Sequence, residues 1–311
     1  MKNNAKKILF MGTPYFAEKI LTFLLVSGYN VAAVISQPDK LVGRKQILEM
    51  TPVKKVAVEY NLIVFQPYKI KEDYQFIDEL KPDIILTCAY GQIIPKELIE
   101  KYLCINVHAS LLPRLRGGAP MHRAIINGDD KTGVTIMRMA QKMDAGAIIK
   151  QKEVVIEKHD NVATLQEKLI ICAQELLPEV LPDLFLGIIN ETEQDESQVT
   201  FGYNISKEEE FISFDRDYLS VYNHIRGLIP WPVGYGIIDN VKVRFHEVML
   251  SQEETAHQNG TLVGINNGAL AIAVANRLLL IKKLQVEGRN IISARDFING
   301  QGKSLINKRF M

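Results

Sequence analysis

The first part of the chain alternates short apolar runs with amphipathic stretches. Six apolar runs between Lys6 and Ala140 predict strands: KILFMG, VAAVIS, LIVFQP, DIILTCAY, CINVHAS and GVTIMRM. Between them, YFAEKILTFLL, PVKKVAVEY, YQFIDEL and PKELIEKY carry apolar residues at helical spacing. This alternation is typical of βαβ units, and it predicts an α/β fold with a doubly wound, mostly parallel sheet.

A change of pattern after the last of these units predicts a second domain. IIKQKEVVI predicts a further strand, and TLQEKLIICAQELLPEVLPDLFLG predicts a long helix that closes the first domain, residues 1–187. Residues 188–206 are polar and acid-rich without periodicity, which favours an exposed linker. From 207 to 311, short apolar runs separated by DN, NG and NNG turns predict a small OB-like β-barrel domain.

Composition limits the class of protein without naming a function. The chain has 311 residues, 47% of them hydrophobic, and 37 Lys and Arg against 36 Asp and Glu, so no overall charge would drive nucleic-acid binding. The three cysteines are widely spaced in apolar surroundings, which indicates buried thiols in a reducing compartment. We find no signal-peptide pattern and no apolar run of about 18 residues. We therefore expect a cytoplasmic protein with no membrane association and, since nothing calls for a dimer, a monomer.

The stretch NVHASLLPRLRGGAP, residues 106–120, places three polar side chains at alternating positions of an apolar strand: Asn106, His108 and Ser110. A strand of a parallel sheet is normally buried on both faces, where an unpaired polar group costs about 1–3 kcal/mol. Taken singly, each residue could be a satisfied core or cap residue. Together, at the carboxyl end of a strand where α/β sheets bind ligands, they favour a functional site.

Three nearby features have both a structural and a functional interpretation. The turn SLLPRLRGGAP could be a plain strand-to-helix loop, although Arg114 and Arg116 offer cations. Asp144 could simply cap a glycine turn, but it follows the strand GVTIMRM, and we expect its loop to open at the same sheet edge as His108 and to orient the imidazole. The loop at residues 36–50 carries lysines and Arg44. Loops of this length are often functional, but this one could also be only a solvated surface loop.

Other chemistries lack their sequence signatures. The segment FMGTPYFAE after the first strand has a single glycine, so the dinucleotide fingerprint GxGxxG is missing. We find neither a phosphate-binding GxxxxGK[ST] motif nor a His/Cys cluster with zinc spacing, and we expect no metal.

Several motifs occur together in a characteristic order: FMGTP, QPD, AYGQIIP, NVHASLLPRLRGGAP, GVTIM, MDAG and IRGLIPWP. In this order and spacing the chain resembles the formyltransferases that use N10-formyltetrahydrofolate, from about Lys7 to the C-terminus. The resemblance implies a Rossmann-like formyltransferase domain followed by an OB-like tRNA-binding domain. It also implies transfer of the formyl group to the α-amino group of methionine on initiator tRNA, for translation initiation.

The resemblance assigns roles to individual residues. The catalytic residues would be Asn106, His108 and Asp144. Tetrahydrofolate would be bound by Ser110, Leu111, Leu112 and Pro113, with its pterin near Gln92, Ile93 and Ile94. Arg44 would approach the tRNA acceptor end. The chain departs from the common family pattern at Leu41, Val42, Leu115 and Ala147.

The C-terminal stretch 281–311 has a local excess of basic residues, which would suit contacts with tRNA phosphates or could be only a solvated surface. These residues are Lys282, Lys283, Arg289, Arg295, Lys303, Lys308 and Arg309. Three other functions remain open: formyl transfer to a small amine such as glycinamide ribonucleotide or an amino sugar, a tRNA-binding module without turnover, and a nicotinamide-dependent dehydrogenase.

Overall fold

A computed structural model describes residues 5–43 and 46–311. Arg44, predicted to contact tRNA, lies outside the described residues. The chain forms two compact units. The first comprises Met1–Pro120, Thr132–Val154 and Gln166–Gly202, and the second comprises Met121–Lys131, Val155–Leu165 and Tyr203–Met311.

The first sheet carries the predicted polar strand near its middle. Its strands in the described residues are β1 (Lys7–Gly12), β2 (Asn30–Ile35), β5 (Ile63–Phe65), β6 (Ile84–Cys88), β7 (Leu103–His108), β8 (Lys131–Arg138) and β9 (Ile148–Val155). They lie in the spatial order β5-β2-β1-β6-β7-β8-β9. Apolar runs explain the central strands, since every residue of β6 is buried and β1 is buried after its first residue.

The direction of β8 corrects one expectation. The strands from β5 to β7 pair in parallel, as predicted, but β8 is antiparallel to β7, with His108 opposite Thr135 and Ile105 opposite Arg138. The carboxyl end of β8 therefore lies at the other edge of the sheet from His108. The loop that carries Asp144 has to fold back to reach the imidazole.

The helices of the first part of the chain agree with the predicted amphipathic stretches, except for the helix Pro120–Asn127, which follows the strand-to-helix turn. They are α1 (Tyr15–Val26), α2 (Pro52–Glu59), α3 (Phe76–Leu80), α4 (Lys96–Lys101), α5 (Pro120–Asn127) and α6 (Val162–Phe185). The side chain of Thr51 caps α2 by accepting a hydrogen bond from the backbone N–H of Lys54, and Pro52 occupies the first helical turn. In the ranges 5–43 and 46–311, no helix is both long and apolar enough to span a membrane.

The predicted long loop at residues 36–50 contains a short hairpin, β3 (Lys40–Val42) and β4 (Ile47–Glu49). All six strand residues are exposed, including the departures Leu41 and Val42. Their side chains therefore take no part in the core.

The second unit is built on an antiparallel sheet. Its elements are α7 (Tyr218–Arg226), β10 (Tyr235–Ile238), β11 (Val241–Met249), β12 (Leu262–Asn266), β13 (Ala269–Val274), β14 (Arg277–Val286), β15 (Ile291–Ser293) and α8 (Ala294–Asn299). The strands follow the order β10-β11-β14-β13-β12, and β15 pairs with β14. Phe214, Phe245 and Phe310 pack together in its core. The predicted fold class is confirmed, while closure of this sheet into a barrel stays a prediction.

Candidate active site

The carboxamide of Asn106 is oriented by a neighbouring strand. Asn106 lies opposite Thr87 of β6, whose hydroxyl donates to Oδ1 of Asn106 at 2.9 Å and lies 3.1 Å from the carbonyl of Ile105. Within the described part of the chain, the NH₂ group makes no hydrogen bond to another protein atom. Because Oδ1 faces Thr87, this NH₂ group can donate to a substrate oxygen.

The imidazole of His108 is buried at the end of β7 between two acceptors. Nε2 lies 3.1 Å from the carbonyl oxygen of Leu115, and since a carbonyl only accepts, Nε2 carries a hydrogen. Nδ1 lies 3.7 Å from Oδ2 of Asp144, close to a carboxylate but beyond a direct hydrogen bond. The structure thus brings together the predicted histidine and aspartate. The contact at Leu115 uses the backbone, so the unusual side chain at that position does not alter it.

Asp144 is held in an uncommon backbone conformation. Its φ is 49°, in the left-handed region, and its Oδ2 accepts a hydrogen bond of 2.8 Å from the backbone N–H of Gly117. The loop returns to the end of β8 at Ala147, whose carbonyl accepts from the N–H of Arg138 at 2.9 Å. Ala147 is buried and touches this loop through its backbone, so the departure at this position leaves the backbone contact intact.

The predicted folate-binding turn has its own internal network. The hydroxyl of Ser110 donates to the carbonyl of Arg114 at 2.6 Å, so this side chain stabilises the turn. Thr135 donates to the carbonyl of Ser110 at 2.6 Å and accepts from the N–H of Leu112 at 3.1 Å. Gln151 donates to the carbonyl of Leu112 at 2.8 Å. These contacts fix the backbone of Ser110–Leu112, while the roles of Leu111 and Pro113 stay predictions.

The segment predicted to lie near the pterin also has a defined backbone. The side chain of Gln92 accepts from the N–H of Ile70 at 2.8 Å and donates to the carbonyl of Tyr68 at 3.2 Å. Ile94 is buried, whereas Ile93 is 86% exposed. Of the two isoleucines, Ile93 is the one that offers free apolar surface.

Two residues near the site, Gln194 and Glu196, were not identified by sequence reasoning. Arg116, expected to offer its charge, is fully buried, and its Nε and Nη2 donate to Oε1 of Gln194 at 3.0 and 2.7 Å. Gln194 comes from the segment predicted as a linker, where a glutamine among acidic residues gives no periodic signal. Hydrogen bonds from Arg116 and Lys142 lower the pKa of Glu196 to about 2, so this carboxylate is ionised at neutral pH.

This arrangement suits transfer of an acyl group. It combines an amide donor, a buried imidazole and a carboxylate, which are the parts needed to stabilise an oxyanion and move a proton. Among the described residues, no group of three or more His, Cys, Asp or Glu side chains could hold a metal ion.

Family models and curated relatives of this chain all indicate the same protein family. The family model described as "Formyl transferase" matches residues 6–181, and the one described as "Formyl transferase, C-terminal domain" matches residues 204–302. The chain is 46% identical to the methionyl-tRNA formyltransferase of Geobacillus sp. (strain WCH70), over 96% of each chain. It is 41% identical to the protein of the same name from Staphylococcus aureus (strain JH1), over 98% of this chain and 99% of that one.

Solved structures share the fold. HypX from Aquifex aeolicus in complex with tetrahydrofolic acid aligns with a TM-score of 0.68 and 16% identity, covering 96% of this chain and 48% of that one. Methionyl-tRNA formyltransferase from Clostridium thermocellum aligns with a TM-score of 0.55 and 18% identity, covering 80% and 95%. The match of both domain models and the extent of identity establish that the chain belongs to the formyl transferase family.

Proposed function

We propose that the chain transfers the formyl group of N10-formyltetrahydrofolate to the α-amino group of methionine on initiator tRNA, in the cytoplasm and as a monomer. The observation that carries the site assignment is the approach of Asp144 Oδ2 to His108 Nδ1 at the end of β7, two residues after Asn106. The acceptor is inferred from identities of 41–46% to methionyl-tRNA formyltransferases over nearly the whole chain.

The residues present fit the folate co-substrate. The NH₂ group of Asn106 is available to the formyl oxygen, and Ile93 offers exposed apolar surface that a pterin could cover. The turn Ser110–Pro113 would bind the folate through a backbone already fixed by Thr135 and Gln151. No metal is needed for this chemistry.

The main barrier lies in the oxyanion and the leaving group. The pKa of a free α-amino group is about 7.7–8.0, so its neutral form costs only about 1 kcal/mol to reach at pH 7. As the amine attacks the formyl carbon, a C–N bond forms and the carbonyl oxygen becomes negative. Asn106 donates to this oxygen, and loss of such a donor typically raises the barrier by about 3–4 kcal/mol.

The amine must lose a proton and N10 must gain one as the bond between N10 and the formyl carbon breaks. His108 moves this proton, and Asp144 holds the ring in place. Because Nε2–H is donated to Leu115 in this structure, transfer from Nε2 exchanges that carbonyl for the substrate atom. No covalent intermediate on the protein is required.

Incubation with N10-formyltetrahydrofolate and methionyl initiator tRNA tests the function, with formylmethionine released by mild base as the readout. We expect formylmethionine from the native chain and much less from His108→Ala. Parallel reactions with glycinamide ribonucleotide and a nucleotide-linked amino sugar test the small-amine alternative. Formylation of a small amine without formylation of tRNA would overturn the proposed acceptor, and tRNA binding without any single-turnover formylation would indicate a binding module.

A further inference from the structure

Gln194 connects the loop of Asp144 to a buried cation. Its Nε2 donates to the carbonyl oxygens of Asp144 at 2.8 Å and Gly146 at 2.7 Å. Its Oε1 accepts both hydrogen bonds from Arg116. A single carboxamide thus spans the distance between the guanidinium and the backbone of the aspartate.

Arg116 determines which way this carboxamide points. A guanidinium only donates hydrogen bonds, so the atom of Gln194 that faces it has to be the oxygen. The NH₂ group is then directed at the two carbonyls of the loop. Since all parts of Gln194 are used, a side chain of another chemistry cannot replace it without losing one set of contacts.

Burial makes this arrangement energetically expensive. Arg116 is 0% exposed, its Nη1 has no hydrogen-bond partner among the described residues, and the one carboxylate it pairs with, Glu196, is 59% exposed. A buried cation with such partial compensation contributes little to stability compared with an apolar side chain. This favours a role for Arg116 in positioning neighbouring groups over a role in stabilising the fold.

The loop itself requires such a restraint. Asp144 has a φ of 49°, a conformation that L residues seldom adopt, and it is the residue whose carboxylate must face His108. At Gly146 an added Cβ would come within 1.9 Å of the carbonyl oxygen of Arg138, so the loop is pressed against the end of β8. Gln194 restrains this loop at the carbonyls of Asp144 and Gly146.

We propose that Arg116 and Gln194 are positioning residues, which hold the backbone of Asp144 so that its carboxylate stays beside His108. The inference rests on the proposed function, because it acts through the site assigned there. Neither residue contacts the reacting atoms. Their effect on turnover passes through Asp144.

Steady-state kinetics of two Gln194 variants test this role. Gln194→Ala removes the hydrogen bonds both to Arg116 and to the two loop carbonyls. Gln194→Glu keeps an acceptor for Arg116 but places oxygens against the two carbonyls. We expect both variants to lower kcat by about 10- to 100-fold with KM for the folate within about threefold, because small displacements of reacting groups have effects of this size. Full activity of Gln194→Glu would overturn the proposal, since the NH₂ contacts would then be dispensable.

A matched control separates positioning from general loosening. Gln174 is a half-buried glutamine of the same unit whose Nε2 donates to the backbone carbonyl of Lys19, on α1. We expect Gln174→Ala to keep kcat within about twofold. An equal loss of kcat in the Gln174 and Gln194 variants would contradict the proposal.

A double-variant cycle tests whether the effect passes through Asp144. In an Asp144→Asn background, we expect Gln194→Ala to lower kcat by less than about twofold further, because residues that act as a unit are not additive. A loss equal to that seen in the native background would show that Gln194 acts independently of Asp144. That result would overturn the inference and leave the proposed function intact.

A spectroscopic measurement keeps the inference testable without turnover. The ¹⁵N resonances of the His108 imidazole, assigned by their loss in His108→Gln, report on the charge beside Nδ1. We expect Asp144→Asn and Gln194→Ala to shift these resonances in the same direction. The resonances of Gln174→Ala should have the same positions as those of the native protein. If Gln194→Ala leaves the His108 resonances unchanged, Gln194 does not position Asp144, whether or not the chain formylates tRNA.

Discussion

The carboxylate of Asp144 accepts a hydrogen bond of 2.8 Å from the backbone N–H of Gly117, and the same Oδ2 lies 3.7 Å from Nδ1 of His108. One oxygen therefore faces both the turn that follows β7 and the imidazole at its end. The position of this carboxylate depends on backbone geometry at two separate loops.

Removal of the reacting side chains should lower turnover more than binding. For Asn106→Ala we expect kcat to fall about 10²- to 10³-fold, through loss of the oxyanion donor. For His108→Ala we expect a fall of about 10²- to 10⁴-fold, through loss of proton transfer. Initial rates give kcat, and calorimetry with the folate gives Kd, which should stay within a few-fold.

The exposed His257 supplies a control, since His257→Ala should leave both quantities unchanged. A parallel loss of folate affinity and of rate in both site variants would contradict the assigned roles.

Gly117→Ala should destabilise the protein and lower its activity. The φ of Gly117 is 124°, and an added Cβ would lie 2.9 Å from the carbonyl oxygen of Gly202. We expect a loss of about 2–3 kcal/mol in the free energy of unfolding, from strain and contact together. Urea unfolding followed by circular dichroism measures it.

Gly28→Ala is the comparison, because its φ of 75° is also positive but nothing lies within 4 Å of the added Cβ. Its loss should be about 1 kcal/mol. Equal losses of unfolding free energy at the two glycines would show that the contact with Gly202 does not contribute to the effect of Gly117→Ala.

The ion pair of Glu209 with Arg123 predicts a pH dependence of stability. The guanidinium lowers the pKa of Glu209 to about 2, below that of an unfolded glutamate. The pair therefore stabilises the fold above the unfolded pKa, near 4.3, and this contribution is lost as pH falls toward 2. Because the Glu209 side chain is 38% exposed, we expect only about 1 kcal/mol.

Glu209→Gln should thus be less stable than the native chain at pH 7, and most of this difference should disappear by about pH 2.5. Urea midpoints at the two pH values measure it. A difference that grows on acidification would have the wrong sign for this pair.

The thiols should be unreactive in the folded protein. Cys88, Cys104 and Cys172 are buried and free, and burial raises the pKa of Cys104 to about 12. The thiolate is the reactive form, so at pH 8 we expect a disulfide reagent to modify the native chain at least about 100-fold more slowly than the urea-unfolded chain. Lys71→Cys, at an exposed position, should react at once and serves as the positive control.

Salt dependence tests the predicted phosphate contacts. Much of the basic excess at residues 281–311 is paired with carboxylates: Lys282 and Lys283 with Glu247, Lys308 with Asp239, and Arg309 with Asp215. Arg295 is exposed and, in the described residues, has no carboxylate within 4.0 Å. If it contacts a phosphate, Arg295→Gln should reduce the slope of log Kd against log salt by about 0.7–0.9.

Lys308→Gln should change this slope less, because its cation is already paired. Fluorescence anisotropy of labelled initiator tRNA at several salt concentrations gives both slopes. An unchanged slope in Arg295→Gln would remove that residue from the interface.

Sequence reasoning predicted elements better than it predicted directions and loops. Apolar runs identified β1, β2, β6 and β7 because burial imposes a pattern on consecutive residues. The antiparallel direction of β8 leaves no such pattern, since its residues are buried in either direction. The sequence predicted that the loop of Asp144 opens at the same sheet edge as His108, which is wrong because β8 is antiparallel to β7. Asp144 lies beside His108 through a returning loop that no periodicity encodes.

Contacts made by backbone or by isolated polar residues could not be predicted. The carbonyl of Leu115 and the N–H of Gly117 exist in every sequence, so neither residue type indicates its contact with His108 or Asp144. Gln194 lies among exposed acidic residues, and only the fold shows that it is buried against Arg116.

The segment that follows α6 returns to the first unit, where Gln194 contacts the Asp144 loop and Thr200 accepts from the N–H of Leu115. Exchange of C-terminal modules between relatives, whether by recombination or by design, would consequently have to join the chains beyond Gly202. A junction at residue 187 would replace Gln194 by a residue from another protein, and the Asp144 loop would then be restrained by a segment that did not evolve with it.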